Sequence, residues 1–358
     1  MSVTTAPTGG ISLQGNRLPR FAPYVVVVGA VALGALVTML LGLSWVAAPV
    51  LAVIVVDIAL PLWSRLVEGR RAAANRGVTC LVWTALGCTL VPLVWVLAEV
   101  VIKGAPGINA HLLTHDGTPY FDPKTLVTTA GGGAFHALVG TLMVTLCAVI
   151  ISVPVGLMTA VYLVEYARGS WLARGVTLMV DVMTGIPSIV AGLFAVALFT
   201  LADPSLRMGI MGSVALSLLM IPTVVRSAEE MMRLVPNDLR EAAYALGVPK
   251  WRTVLKVVLR TSLGGIITGV MLAVSRVIGE TAPLLVAIGS IDETNWNPFS
   301  GRMETLPVFI MDNYTQGATT PDGYKWAWSG ALLLIAIVMV LNLIARIIGK
   351  IFAPKTGR

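Results

Sequence analysis

The sequence predicts an all-α polytopic membrane protein of eight transmembrane helices, and three observations lead there. Of its 358 residues, 56% are hydrophobic and only 12% are charged, and a mean hydropathy of +0.86 is too high for a water-soluble globule. Eight apolar runs are each long enough to cross about 30 Å of hydrocarbon as helix. The cations are also unevenly placed. Arg65, Arg70, Arg71 and Arg76 crowd the connection 64–77, whereas the intervening connections hold only Lys103, Lys124, Arg207, Arg302 and Lys325. Cations collect on the cytoplasmic side, so both termini and segment 226–260 are expected there. That topology accounts for the net charge of +7 without a nucleic-acid partner and leaves lipid as the surroundings.

Taken in order, residues 1–23 form a polar cytoplasmic tail ending in cations, and the first apolar run lacks a small-residue cleavage site of signal-peptide type. Runs 24–43 and 45–63 turn near Ser44 into a helical hairpin, with Asp57 structural or at the lipid interface. After the basic cytoplasmic loop 64–77, the core domain 78–352 begins with a crossing at 78–102, where Pro92 predicts a kink. The polar segment 103–133 lies outside and contains a flexible Gly131-Gly132-Gly133. Crossings follow at 136–166, 176–201 (broken at Pro187) and 208–225. Segment 226–260 returns to the cytoplasm, 263–290 crosses outward, and 291–325 is an acidic outer loop. The last crossing, 326–352, ends in a short cytoplasmic tail, 353–358. Cys80, Cys88 and Cys147 fall inside apolar runs as packing residues. His111, His115 and His136 have no metal-ligand spacing, so no metal site is expected.

Segment 226–260 carries seven cations, Arg226, Arg233, Arg240, Lys250, Arg252, Lys256 and Arg260, too many for hydrocarbon. Leu239 to Leu246 are mostly strong helix formers, and Gly247 with Pro249 stops them. Small Ala242 and Ala243 beside Glu241 let this short helix lie close to another surface, and Gly247 lets the chain turn back toward the membrane. From residue types alone, a solvated loop helix is an equal alternative.

The next run places Arg276 about 20 Å along its helix, at mid-membrane. An intramembrane Arg costs about 2.5–3.5 kcal/mol on insertion scales. A pair with Glu280, in the weaker Arg-before-Glu order, returns about 0.2–0.5 kcal/mol and does not repay that. Arg276 is therefore expected to face a watery pathway at a subunit interface, where its guanidinium lowers the barrier for an oxyanion and donates two hydrogen bonds. Glu280 then orients Arg276, pairs across the interface, or keeps the anion from binding too tightly. Asp181 reads as a second buried acid that caps or pairs near the Pro187 bend, a purely structural role being equally consistent.

Glu241-Ala242-Ala243, Gly247, Val257 and Leu259 together resemble the EAA loop of ABC importer permeases, with Arg260 where that loop usually has Pro. The departure implies a helix that runs on more regularly. Ser275 to Leu285 (SRVIGETAPLL) is similar to the signature of phosphate ABC permeases of the PstA type, and Asp181 with Gly185 to Phe194 (GIPSIVAGLF) resembles a second block of that family. This resemblance implies a type I ABC importer permease bundle of six core helices, to which the 24–63 hairpin is an addition. It also implies phosphate import by alternating access, with Arg276, Glu280 and Thr281 on the pathway and Glu241, Ala242, Ala243 and Gly247 coupling to the ATPase. The implied partners are two ATPase subunits, a second permease subunit of PstC type and an extracytoplasmic phosphate-binding protein, in a bacterial inner membrane. No Gly-x-x-x-x-Gly-Lys-Ser/Thr loop occurs in the chain, so hydrolysis is expected on partners and no cofactor here. The rival readings are a permease for sulfate or molybdate and, in another class, an ion-coupled secondary transporter, which has no use for an EAA loop.

Overall fold

The computed structural model describes residues 18–122, 127–129, 131–167, 169–203, 206–316 and 322–352. The expected tails therefore lie outside the described residues, apart from 18–23. Among the described residues, seven helices are long and apolar enough to cross a membrane, or eight if one bent pair is a single span. The chain divides into two compact units, 1–98 and 99–358.

In the first unit, α1 (Ala22–Leu41) and α2 (Ala47–Val67) form the expected hairpin. Asp57 accepts 3.0 Å hydrogen bonds from the Thr84 hydroxyl. The basic connection 64–77 is not a loop. α2 runs to Val67 and α3 (Arg70–Gly104) starts at once, because Ala72, Ala73 and Ala74 favour helix as strongly as the apolar residues that follow. Only Glu68 and Gly69 turn between them. Arg76 grips Glu68 through two bonds of 2.7 and 2.9 Å; with the Leu18 amide and the Ser64 hydroxyl, it holds that carboxyl at about 2. The unit boundary falls within α3 at Ala98.

The second unit opens with α4 (Ala110–Thr114) and a short antiparallel pair, β1 (Tyr120–Asp122) with β2 (Val127–Thr129). Gly131-Gly132-Gly133 is packed rather than flexible. A Cβ on Gly133 would lie 1.9 Å from the His115 carbonyl oxygen, and Gly132 sits at φ +63 against Trp326. Next come α5 (Phe135–Val161), continued by a π-turn at Tyr162–Tyr166, then α6 (Trp171–Thr184), α7 (Ser188–Thr200) and α8 (Gly209–Arg233). α5 and α8 pack along each other and against α11 around Val144, Ala148, Met220, Val224, Ala273 and Val277.

The expected crossing 176–201, broken at Pro187, is α6 followed by α7, bent by 109°. Pro187 has no amide hydrogen to continue the helix, and the Thr184 hydroxyl bonds back to the Val180 and Asp181 carbonyls at 2.9 and 3.0 Å.

After α8 come α9 (Asn237–Ala245) and α10 (Lys250–Thr253), which passes through a π-turn at Val254–Val258 into α11 (Leu259–Val277). With Arg260 rather than Pro, the helix is unbroken from Lys250 to Val277. It is not regular, because the π-turn widens one turn of it at Val254–Val258. The expected span 263–290 stops at Val277, and a short α12 (Ala282–Ala287) follows, since Pro283 cannot donate to the Gly279 carbonyl. The segment expected as an outer loop, 291–325, contains a helix, α13 (Leu306–Gln316), whose Leu306, Val308 and Phe309 are buried. α14 (Gly323–Phe352) completes the bundle.

Candidate functional site

α9 joins two spans at one end of the second unit. Its C-terminus is closed by Gly247 at φ +74, whose amide reaches the Tyr244 carbonyl at 2.9 Å while Val248 reaches Ala243 at 3.1 Å. A β-carbon would strain this left-handed turn. Glu241, Ala242, Tyr244 and Gly247 are exposed, whereas Ala243 is only 7% exposed and faces the bundle. Of the four residues expected to meet a partner, three are therefore available. Leu239, Tyr244 and the 83% exposed Leu246 add apolar surface beside them.

Arg240, read from sequence only as one cation among seven, fixes α9 to the bundle. It is 6% exposed. Its Nε donates to Glu165 Oε1 at 2.9 Å, Nη1 to the Val235 carbonyl at 2.6 Å and Nη2 to the Met232 carbonyl at 2.9 Å. Glu165 lies in the π-turn that ends α5. Glu165 is buried there along with Leu163 and Val164, and its bond to Arg240 ties α9 to the span before the bent pair as well as to α8.

Arg276 is the expected pathway residue, and its position can be fixed by register. α11 runs antiparallel to α8, with Gly265 against Met231 and Gly269 against Ser227. Continuing four by four brings Arg276 level with Met220, midway along α8. Arg276 is exposed on the isolated chain. Among the described residues it has neither an ion pair nor a hydrogen bond, so the Arg276–Glu280 pair does not form. Thr268, Leu272, Arg276 and Gly279 form one exposed stripe. Glu280 and Thr281 lie in the break between α11 and α12, both half-buried, with the Glu280 amide on the Val277 carbonyl at 3.1 Å.

Asp181 is not a buried acid: its side chain is 56% exposed. It is paired with Arg226 of α8, which in turn bonds Glu229 at 2.9 Å, and Glu229 also takes Arg233. The network ties α6 to α8 on the α9 side of the Pro187 bend.

At the opposite end, His136 of α5 meets Asp292 and Glu304, with ligand atoms within 4.8 Å of one another. Two segments distant in sequence, α5 and 291–325, supply them, which is why spacing did not reveal the cluster. The Gly117 amide donates to His136 Nδ1 at 3.1 Å and to the Asp292 carbonyl at 2.9 Å. His136 Nε2 faces Glu304 at 3.3 Å.

Burial pushes the Glu304 carboxyl up, Asp312 and Asp292 add to that, and His136 opposes it. Between the ordinary value of 4.5 and the raised folded value, the folded chain holds the extra proton. Stability therefore falls as pH rises through that window and is flat above it. Glu304→Gln is expected to remove this part of the fall, and thermal unfolding of parent and variant in detergent at pH 4.5 and 7.5 checks it.

Residues 152–358 match the family described as binding-protein-dependent transport system inner membrane component. The phosphate transport system permease protein PstA of Mycobacterium leprae is 43% identical over 281 residues, 78% of this chain and 90% of that protein. PstA of Yersinia pestis is 40% identical over 266 residues, 74% and 84% of the two chains. An inward-facing MetNI methionine ABC transporter structure covers 62% of this chain and 94% of its own at 20% identity, with a TM-score of 0.48. The family match over more than half of the chain and relatives at 40% identity or above across most of it agree with a multi-pass bundle carrying an exposed connecting helix. The chain belongs to the binding-protein-dependent transport system inner membrane components and, among them, to the PstA phosphate transport system permease proteins.

Proposed function

We propose that this chain is one of two permease subunits of an ATP-driven importer of inorganic phosphate. The single observation that carries the reading is Arg276. A permanently charged guanidinium lies level with the middle of the bundle, unpartnered among the described residues, at the point where the helix breaks. Such a group is tolerated where water, a second subunit or an anion meets it. The relatives' names supply the anion. A second subunit of PstC type covers the Thr268–Arg276 stripe and completes the pathway, with Glu280 and Thr281 at its bend. A phosphate-binding protein delivers substrate at the His136 end.

Two ATPase subunits drive the motion at the other end, one of them docking on Glu241, Ala242 and Gly247 of this chain. Their closure pushes α9, and the Arg240–Glu165 bolt passes the movement to α5 and α8. The orientation that suits this places α9 and both termini in the cytoplasm of a bacterial inner membrane, as the cation asymmetry indicates. The domain scheme that goes with it is an added hairpin (24–63), a connection at 64–77 and a permease domain (78–352), with coupling segment 226–260.

The test is reconstitution of the chain with these partners in vesicles. Phosphate is expected to stimulate ATP hydrolysis and to accumulate, with sulfate failing to compete at equal concentration. Hydrolysis that sulfate stimulates equally, or uptake that needs no ATP, would overturn the reading.

A further inference from the structure

Near the α9 end, a cavity of about 510 Å³ opens between the end of α8, the start of α11 and α14. Arg346 and Lys350 line it from α14, Thr261 and Thr268 from α11, and Met231 from α8. The two cations stand four residues apart on one helix face, an arrangement that repels. Among the described residues, neither has an acidic partner. The Thr268 hydroxyl is spent on the Gly264 carbonyl at 2.9 Å, while among the described residues the Thr261 hydroxyl has no partner and remains free to donate. Ammonium, guanidinium and a free hydroxyl around one space are the donor set that a phosphate oxyanion takes. At about 30 Å³ per water, the cavity also holds part of the ion's hydration shell.

Thr268 belongs both to this cavity and to the exposed stripe that carries Arg276. Eight residues separate them, about 12 Å along the helix. We infer that the α8–α11–α14 cavity is a second phosphate site, a release vestibule that takes the ion after Arg276 and before it leaves at the α9 end. The inference rests on the phosphate-import reading and deepens it by naming the exit side. Arg346 and Lys350 lower the cost of leaving Arg276, and their exposure keeps the ion from being trapped.

The experiment uses the reconstituted complex in vesicles with the α9 end outward, following labelled phosphate released from the lumen while unlabelled inorganic phosphate is added outside. Outside phosphate occupies the vestibule and slows release. In R346Q/K350Q, its half-inhibiting concentration is expected to rise at least 5-fold. Gly349 lines the same cavity, and a Cβ there would stand 3.8 Å from Thr268 Oγ1. G349L therefore fills the space without removing charge and is expected to slow release at least 3-fold. Thermal unfolding and membrane level of both variants are measured beside the parent, and parent-like values exclude misfolding. Parent-like inhibition in R346Q/K350Q together with parent-like release in G349L overturns the vestibule while leaving the import reading intact. A parent that releases no phosphate overturns both. A lipid headgroup has the same chemistry, so the parent is also measured in phosphatidylcholine with and without phosphatidylglycerol. If removing phosphatidylglycerol reproduces the variant's rate and the half-inhibiting concentration stays fixed, the cavity belongs to lipid and the inference is overturned.

Discussion

Arg276→Ala is expected to lower phosphate uptake at least about 100-fold while leaving the protein folded and at parental level in the membrane. Two charge-assisted hydrogen bonds to the passing ion are worth about 1.5–3 kcal/mol each, and every 1.4 kcal/mol is about tenfold. The folded chain loses little, because Arg276 is exposed and makes no bond among the described residues; substitutions at such positions usually stay within about 0.5 kcal/mol. Arg276→Lys keeps the charge but not the two-pronged donor, and an intermediate loss of about 10-fold is expected. A group that acts only as a structural anchor would give the reverse pattern, with lower membrane level and melting temperature and residual uptake in proportion. The measurement is uptake per molecule in vesicles, beside thermal unfolding of the same preparation. Uptake within threefold of the parent for Arg276→Ala removes the residue from the pathway.

How much of this was legible in the sequence depends on how far apart the partners are. Gly247 and Pro249 stop the 239–246 helix through their own backbones, and the structure has α9 there with Gly247 in the left-handed turn. Pro187 likewise announces a break in its own residue type, although not a bend of 109°. The apolar runs show where helices cross but not where they begin. Ala72 to Ala74 extend α3 back to Arg70, and α13 forms in a stretch marked as loop by its acids.

Long-range pairing left no local trace. Arg240 and Glu165 are 75 residues apart, and Arg226 and Asp181 are 45 apart. A cation in a polar segment looks alike whether it is solvated or bolted under a helix. The sequence marked Arg276 as costly, but only the register of α11 on α8 shows it level with the bundle's middle and unpaired.

Glu165→Ala is expected to uncouple the transporter: ATP hydrolysis continues, phosphate uptake falls at least about 10-fold, and amides 237–247 exchange faster. Removing the carboxylate leaves the Arg240 guanidinium 6% exposed with only carbonyl oxygens around it. Breaking one side of such a pair costs about 3–5 kcal/mol, whereas replacing both members by apolar groups is often neutral. Glu165→Ala should therefore destabilise the chain, and Glu165→Ala with Arg240→Met should regain most of the lost melting temperature. The double variant separates the bolt's two effects. Stability returns because no charge is left buried, but the bonds from α9 to the Met232 and Val235 carbonyls and to α5 are gone, so coupling stays impaired. If the double variant restores uptake along with stability, the pair is only an anchor and α9 transmits its motion through Ala243 packing and the Val254–Val258 turn. If Glu165→Ala alone leaves stability, exchange and coupling at parental values, the ion pair carries neither load.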